Sequence, residues 1–359
     1  TIWEQSDLLK FSSKFGAEVF LWECMALTPS YVKVLQQDWM RDEMATITNT
    51  FPDHENLQGP AGYNIPEVMT EFISQKGHII TTEESMLPIL TENARTKNVP
   101  IEGVGWLEAG LISEELIDRF PYEEHPFNIA LVASMAHKLG FQTDHAIKEM
   151  SDRVVADLGV LKTYPTAIVS DRELEFVMGM SANERFGCLG NWTRMEFDAE
   201  PSYPENGVWI STVVNNRADR IARSEVFARI LVHDIQADSH ILIGSNLSGL
   251  KSYIDKEREL YKNKLFGKLK LKNADDLLTI LEDQAKLFRV SINKVQLLKK
   301  LSFFLEGEII QSLKAISQID DWITYLKKES EHNDLLDEDC LQWAEYFCLE
   351  YTEFTTLKL

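Results

Sequence analysis

Gly207-Val208-Trp209-Ile210-Ser211-Thr212-Val213-Val214 is the clearest strand signal in the chain, because it is rich in β-branched residues. A helical pattern follows at about 224–235, and a second apolar strand follows at 239–244. A strand, a helix and another strand in this order predict an α/β unit with a parallel sheet. The fold class that this stretch predicts is α/β.

The same alternation of strands and helices runs through the first half of the chain. Short apolar runs predict strands, and apolar residues at helical spacing predict the helices between them. The predicted elements are helix 1–15 with Gly16 as its C-cap, strand 18–23, helix 30–41, strand 44–49, helix 66–74, strand 78–81, helix 126–139 and short strands at 167–169 and 175–178. From about 250 to 330 helical periodicity dominates.

Composition and charge exclude several classes of protein. The 359 residues carry 36 Lys and Arg against 57 Asp and Glu, and the resulting net charge of −21 would repel a nucleic-acid backbone. No apolar run is long enough to span a bilayer, and no signal-peptide pattern is visible. The four cysteines are scattered without a CxxC pair, which favours a reducing, cytoplasmic compartment. Because the sequence starts at Thr1, we expect a processed, truncated or partial chain.

Metal-binding side chains follow two of the predicted strands. Glu23 ends the first strand, and Asn49, Asp53 and His54 follow the second. Ligands of an open parallel sheet sit outside the carboxyl ends of its strands, so these side chains could converge on a hard cation such as Mg²⁺. A capping Glu and an Asp-His turn explain the same spacing, and that alternative stays open.

A local cluster of positive charge follows the strand 207–214 in this acidic protein. Arg217, Asp219 and Arg220 stand where that strand ends. Arginine makes planar, bidentate contacts to carboxylate or phosphate, so these residues predict an anion pocket. A solvated helix N-terminus with an internal Asp–Arg pair is an equally good explanation.

The sequence lacks several motifs that would identify a nucleotide-binding or hydrolytic enzyme. A Walker A loop, a GxGxxG loop, a GxSxG elbow and an HExxH helix are all absent. The missing Walker A loop is the strongest argument against ATP use by this stretch alone.

Several short motifs nevertheless follow one another between about residues 15 and 250, in the order in which one known family has them. They are Trp22-Glu23-Cys24-Met25-Ala26 through Pro29 and Tyr31, Thr48-Asn49 with Asp53-His54, Phe127-Asn128 through Leu139-Gly140, Phe176-Val177-x-Gly179-x-x-Ala182-Asn183 with Trp192 and Arg194, Asn215-x-Arg217-Ala218-Asp219-Arg220, and Leu242-Ile243-Gly244. Together they resemble the ligase subunit of bacterial poly-γ-glutamate synthase, a capsule biosynthesis enzyme of the Mur ligase superfamily.

The resemblance implies a domain organisation. Residues 1–160 would form a Mur-ligase central parallel-sheet domain of the ATPase type that lacks its N-terminal part. Residues 161–250 would form a Rossmann-like ligase C-terminal domain, and 251–359 would be a helical extension.

The resemblance also implies a reaction and its cofactors, ATP and Mg²⁺. ATP would phosphorylate the terminal carboxylate of a glutamate chain, and the amine of an incoming glutamate would then form an amide. Carried over by position, the metal ligands would be Glu23 and His54, the nucleotide contacts Asn128, Lys162, Asn183 and Glu184, and the residues of the acyl-phosphate pocket Arg217, Asp219 and Arg220. Other membrane synthase subunits would be partners, at the inner face of the cell membrane.

Four departures from the family pattern leave alternatives open. Glu184 replaces an Asp, Lys162 replaces an Arg, Phe186-Gly187-Cys188 replaces Ser-Ser-Thr, and the family's phosphate loop lies upstream of the matched region. That loop would be cut away, carried on another chain or truly absent. In the last case the protein would be a non-catalytic interaction protein whose helical tail docks a partner. A Mur-like ligase with a different amine acceptor is the third alternative.

Overall fold

The protein is described here by a computed structural model, which covers residues 2–51, 64–199 and 208–266. The chain forms two compact units, Thr1–Cys188 and Leu189–Leu359. Both contain helices and strands, so the predicted mixed α/β class is confirmed. Within the described residues, no helix combines the length and the apolar composition that crossing a bilayer requires.

The first unit contains short helices and two kinds of sheet. Its helices are α1 (Ile2–Lys14), α2 (Pro29–Lys33), α3 (Asn64–Met69), α4 (Leu87–Thr96), α5 (Trp106–Gly110), α6 (Glu114–Ile117), α7 (Pro126–Lys138) and α8 (Thr143–Arg153), with a π-helical segment at Val34–Met40 and a 3₁₀ turn at Thr70–Phe72. Its strands are β1 (Met44–Ile47), β2 (His78–Thr81), β3 (Ile101–Gly103), β4 (Lys162–Thr163), β5 (Ala167–Val169), β6 (Arg172–Leu174) and β7 (Val177–Met178). A further helix, α9 (Arg185–Arg194), crosses the boundary between the units.

Strands β1, β2 and β3 form the predicted parallel sheet, with β2 in the centre. Ile79 and Ile80 point to opposite faces of the central strand, and both are fully buried because each face is covered. Ile79 packs in a cluster with Leu90 of α4, and Ile80 packs in another with Leu131 of α7. Burial on both faces explains the continuous apolar run from which this strand is predicted.

The segment between the sheet and α9 is antiparallel. Strand β4 pairs with β7, and β5 pairs with β6. Ser170 and Asp171 connect β5 to β6 with positive φ angles of 51° and 59°, as a two-residue hairpin turn requires. The strand predicted at 167–169 is confirmed, whereas the one predicted at 175–178 is limited to Val177–Met178.

The second unit confirms the strand, helix and strand that the sequence predicts around residue 210. Its elements are β8 (Ser211–Asn216), α10 (Ile221–His233), β9 (Ser239–Gly244) and α11 (Leu247–Phe266). Strands β8 and β9 are parallel, with Ser211 opposite Ser239 and Asn216 opposite Gly244. Val214 and Leu242 pack against a buried cluster formed by α10 and α11. The rest of the helical region predicted from 251 onward lies outside the described residues.

The strand predicted at 18–23 is wrong, since this segment contains no β-strand. Val19 and Leu21 are 76% and 83% exposed, so their apolar side chains are not buried in a sheet. Trp22 instead packs against the buried cluster around Val32, beside the π-helical segment. The local sequence shows that the segment is apolar, but it does not determine whether the segment pairs with another strand.

Candidate functional site

A buried carboxylate joins the ends of β1 and β2. Glu83, 5% exposed, accepts hydrogen bonds from the backbone N–H of Thr50 at 2.7 Å and from its hydroxyl at 2.9 Å. The other carboxylate oxygen accepts the N–H of Met86 at 2.9 Å. All three donors point at one side chain, so Glu83 fixes the segment that follows β1 at the carboxyl edge of the sheet.

Two threonines at the end of β2, Thr81 and Thr82, strengthen this connection. The hydroxyl of Thr81 donates to the carbonyl of Ile47 at 2.6 Å, and the hydroxyl of Thr82 donates to the carbonyl of Thr48 at 2.6 Å. Each bond crosses from the end of one strand to the end of its neighbour. The carboxyl edge, where open parallel sheets bind ligands, is therefore well ordered by side chains.

Asn49 lies at this edge, as the sequence predicts from the end of its strand. Its side-chain oxygen accepts the N–H of Phe51 at 3.1 Å. The ring of Phe51 stacks on that of Phe186, with 5.3 Å between centroids and 25° between planes. This stack connects the segment after β1 with the first turn of α9. Asp53 and His54, which follow it, lie outside the described residues.

Glu23 follows Trp22, which is hydrogen-bonded near the beginning of β1, whereas Asn49 follows the end of that strand. The indole N–H of the neighbouring Trp22 donates to Asp42 at 2.7 Å, two residues before β1. The carbonyl of Glu23 accepts a hydrogen bond from Gln5, and its side chain is exposed. Among the described residues, no three His, Cys, Asp or Glu side chains form a group suited to a metal ion. The expected pairing of Glu23 with His54 stays a prediction.

Glu184 caps helix α9. Its carboxylate accepts the N–H of Phe186 at 2.6 Å and also that of Gly187, which satisfies two of the N–H groups at the start of the helix. Asn183 precedes it, with its side-chain amide donating to the carbonyl of Ser181 at 3.1 Å. Two of the four residues predicted to contact nucleotide thus lie at the start of α9 and are held there by its first N–H groups and the preceding turn.

Asn128 and Lys162 lie on segments that a backbone hydrogen bond connects. Asn128, in the first turn of α7, donates from its amide to Glu124 at 2.9 Å, and the N–H of Glu123 donates to the carbonyl of Leu161 at 2.8 Å. Lys162 follows directly at the start of β4, with its ammonium 5.5 Å from the centroid of the Tyr164 ring.

Glu124 organises the start of α7. Its carboxylate also accepts the Tyr122 hydroxyl at 2.6 Å and the N–H of His125 at 2.7 Å. Burial, and then the hydrogen bond to Glu124, raises the pKa of Tyr122 well above its usual value, so the phenol keeps its proton.

At the carboxyl edge of the second unit, Arg217 and Asp219 form a bidentate ion pair. Nε of Arg217 donates to Oδ1 at 3.0 Å and a terminal nitrogen donates to Oδ2 at 2.8 Å. The hydrogen bond from Arg217 lowers the pKa of Asp219. Arg220 approaches the same carboxylate, with 3.8 Å between its Nε and Oδ2. The internal Asp–Arg pair that the sequence left open is therefore present, in an exposed position before α10.

Sequence reasoning missed Glu83, Glu124 and Ser245, which hold these segments in place. Ser245 accepts the N–H of Ala218 at 2.9 Å, although the two residues are 27 positions apart. Glu83 and Thr50 are 33 positions apart. The sequence does hold one signal for Glu83, which is its position two residues after β2. A position at the carboxyl end of a strand is also the reason for which the sequence predicts a role for Glu23.

Comparison with known proteins identifies similar sequences. Residues 163–312 match the family model described as the poly-gamma-glutamate synthase CapB C-terminal domain. The chain is 28% identical over 282 residues to PGA synthase CapB of Bacillus subtilis (strain 168), covering 78% of this chain and 68% of that protein. It is also 28% identical over 255 residues to the capsule biosynthesis protein CapB of Bacillus anthracis, covering 71% of this chain and 53% of that protein.

No solved structure matches the chain. The similarity to known proteins therefore rests on sequence comparison alone. By that measure, the chain is similar over 163–312 to the CapB C-terminal domain of poly-gamma-glutamate synthase, and over most of its length to two proteins named CapB.

Proposed function

We propose that this protein is an ATP-dependent carboxylate–amine ligase of the Mur type that extends poly-γ-glutamate. The observation that carries the proposal is the bidentate Arg217–Asp219 pair at the carboxyl edge of β8 and β9, within the segment similar to the CapB C-terminal domain. An arginine fork suits a carboxylate or phosphate, and this edge is where parallel α/β sheets bind ligands.

Amide formation from a carboxylate requires an activating group and positive charge to stabilise the reacting anions. A carboxylate is a poor electrophile, and ATP with Mg²⁺ supplies the phosphoryl group that converts it into an acyl phosphate. The attacking amine then forms the amide, and the former carboxylate oxygen leaves with phosphate. Arg217 and Arg220 would stabilise negative charge on the reacting groups, and Asp219 would orient Arg217.

The residues of the second unit fit an anionic substrate. A guanidinium carries five N–H donors, and two of those on Arg217 form hydrogen bonds to Asp219. The side chain of Arg217 is 61% exposed, so the remaining donors are accessible to a substrate. The pair therefore holds the fork in one orientation while leaving capacity for an incoming carboxylate or phosphate.

The nucleotide contacts we propose are Asn128, Lys162, Asn183 and Glu184. The carboxylate of Glu184 accepts N–H groups at the start of α9, and ribose hydroxyls are hydrogen-bond donors that a carboxylate accepts in the same way. Lys162 supplies a positive charge for phosphate oxygens, as a point charge rather than a fork.

The metal ligands we propose are Glu23 and His54. The exposed carboxylate of Glu23 is the kind of hard oxygen ligand that Mg²⁺ prefers, and this ion keeps several waters and substrate phosphate oxygens around it. Magnesium therefore does not need the three-residue cluster that the described residues lack. Other synthase subunits at the inner membrane face are the partners we propose.

The test measures glutamate-dependent release of ADP and phosphate by the protein as its gene encodes it. We expect Arg217→Ala to lower kcat/KM by roughly a hundredfold, as loss of a donor to a developing anion does. Arg95→Ala is the control, because Arg95 forms an exposed ion pair with its helical neighbour Glu92. Glu23→Ala should raise the Mg²⁺ concentration for half-maximal rate by roughly tenfold. Unchanged rates in both active-site variants would contradict the proposal.

A non-catalytic interaction protein predicts a different pattern. Arg217→Ala and Glu23→Ala would then leave cellular function intact, whereas deletion of 250–359 would abolish it. The two point variants, together with the deletion of 250–359, therefore distinguish a ligase from a non-catalytic interaction protein.

A further inference from the structure

The turn between β8 and α10 is held by side chains that no motif singles out. Asn216, 7% exposed, and Ser224, 2% exposed, are both buried polar residues. The hydroxyl of Ser224 donates to the side-chain oxygen of Asn216 at 2.7 Å. The amide nitrogen of Asn216 donates to the carbonyl of Ser245 at 2.8 Å and to that of Asn246 at 3.3 Å. The side chain thus connects the end of β8, the first turns of α10 and the end of β9.

Ser245 completes the connection from the opposite direction. Its backbone N–H donates to the carbonyl of Asn216 at 2.9 Å, and its hydroxyl accepts the N–H of Ala218 at 2.9 Å. Ala218 lies between Arg217 and Asp219 in the sequence. The hydroxyl of Ser245 therefore fixes the peptide that separates the two members of the ion pair.

Gly244 allows this close approach of the two strand ends. Its φ is +98°, and a Cβ atom at this position would clash with the carbonyl oxygen of Asn216. Only glycine adopts such a conformation without strain. The backbone of β9 can therefore come close enough for Ser245 to reach Ala218.

We propose that Ser245 is a positioning residue for the Arg217 fork, acting through the N–H of Ala218, with Asn216 holding Ser245 in register. This inference rests on the proposed ligase function, and it adds a residue directly after β9 to a site otherwise built from the turn after β8. Ser245 is exposed, so its hydroxyl can be removed without opening a cavity in the core.

The experiment compares Ser245→Ala with Ser245→Thr, which keeps a hydroxyl, and with the control Ser248→Ala on the exposed surface of α11. Amide hydrogen exchange at Ala218 is measured first. Loss of one hydrogen bond should accelerate exchange roughly fivefold in Ser245→Ala. Ser245→Thr and Ser248→Ala should exchange like the wild type.

Steady-state kinetics form the second measurement. We expect Ser245→Ala to lower kcat for glutamate-dependent phosphate release roughly fivefold, with KM for ATP within about twofold of the wild type. Ser245→Thr should restore kcat. Unchanged exchange at Ala218 overturns the inference, and so does faster exchange with unchanged kcat.

The two proposals fail in distinguishable ways. A wild-type protein that never couples glutamate to ATP overturns the proposed function and the kinetic role of Ser245 with it. Faster exchange at Ala218 in Ser245→Ala would still support the geometric part, because that measurement does not depend on activity.

Discussion

Replacement of Glu83 by Gln tests whether the carboxyl edge of the first sheet depends on one buried side chain. The change keeps the size of the side chain and converts one acceptor oxygen into an NH₂ donor. Three donors currently point at this carboxylate, two from Thr50 and one from Met86. Glutamine can satisfy one side of this arrangement but not both.

The expected loss of stability follows from the number of donors left without a partner. If the amide oxygen faces Thr50, both of its donors are kept, and the N–H of Met86 faces another N–H group. A buried donor that loses its partner costs about 1–3 kcal/mol. In the opposite orientation the hydroxyl of Thr50 can turn to accept from the amide, but the backbone N–H of Thr50 loses its acceptor. We therefore expect the free energy of unfolding to fall by about 2 kcal/mol.

Urea unfolding followed by circular dichroism measures this change, with hydrogen exchange at Thr50 as a local probe. The matched control is Glu43→Gln, because Glu43 lies just before β1 with an exposed side chain. We expect the control to stay within about 0.5 kcal/mol of the wild type. A Glu83→Gln midpoint equal to that of the control, with Thr50 still protected, would refute the structural role of Glu83.

Three further changes test other parts of the structure. Arg217→Lys keeps the charge and loses the fork, so we expect kcat/KM for glutamate-dependent phosphate release to fall more than about tenfold. Lys138, Ser134 and His78 lower the pKa of Glu102 from 4.5, so Glu102 stabilises the fold above about pH 4.5, and this contribution is lost as the pH falls through the lowered value. The stability difference between wild type and Glu102→Gln, measured by urea unfolding, should therefore shrink to zero in acid. Gly244→Ala should destabilise the second unit by about 2 kcal/mol or more in thermal unfolding, because of its positive φ.

Each of these changes has a control. Arg95→Lys should leave the kinetics unchanged, and an equal loss in both variants would show that the effect is not specific to the Arg217 fork. Glu43→Gln, at an exposed carboxylate outside the Glu102 cluster, is unfolded at the same pH values for comparison. A Cβ atom at Gly110 would contact no side chain or distant backbone of the described residues within 4 Å, so Gly110→Ala should be neutral or stabilising. Similar losses at Gly110 and Gly244 would contradict the argument from backbone conformation.

The sequence predicts the parallel sheets well, for a physical reason. Ile79 and Ile80 are both buried because β2 is covered on both faces, and such strands appear as continuous apolar runs. The same rule fails at 18–23, where an apolar run forms no strand and Leu21 is exposed. Hydrophobicity identifies a segment that can become a strand, but pairing depends on neighbours that are distant in sequence.

The candidate site is predictable only where its residues follow a strand. The sequence predicts a role for Arg217 and Asp219 because they follow a strong strand, and it leaves their mutual pairing open as an alternative. Glu83 and Ser245 act through partners 33 and 27 positions away, respectively, and no local pattern encodes such contacts. Glu184 was expected at a ribose, and its role as the cap of α9 became visible only with the helix in place.

The transfer of oxygen from substrate carboxylate to phosphate is the most direct test of the central proposal. Poly-γ-glutamate labelled with ¹⁸O in its carboxylates would be incubated with the protein, ATP, Mg²⁺ and glutamate, and the released phosphate analysed by mass spectrometry. An acyl-phosphate route predicts one ¹⁸O atom in each phosphate released, in step with amide formation. Amide formation that releases only unlabelled phosphate, or ATP consumption without any amide, would contradict the account.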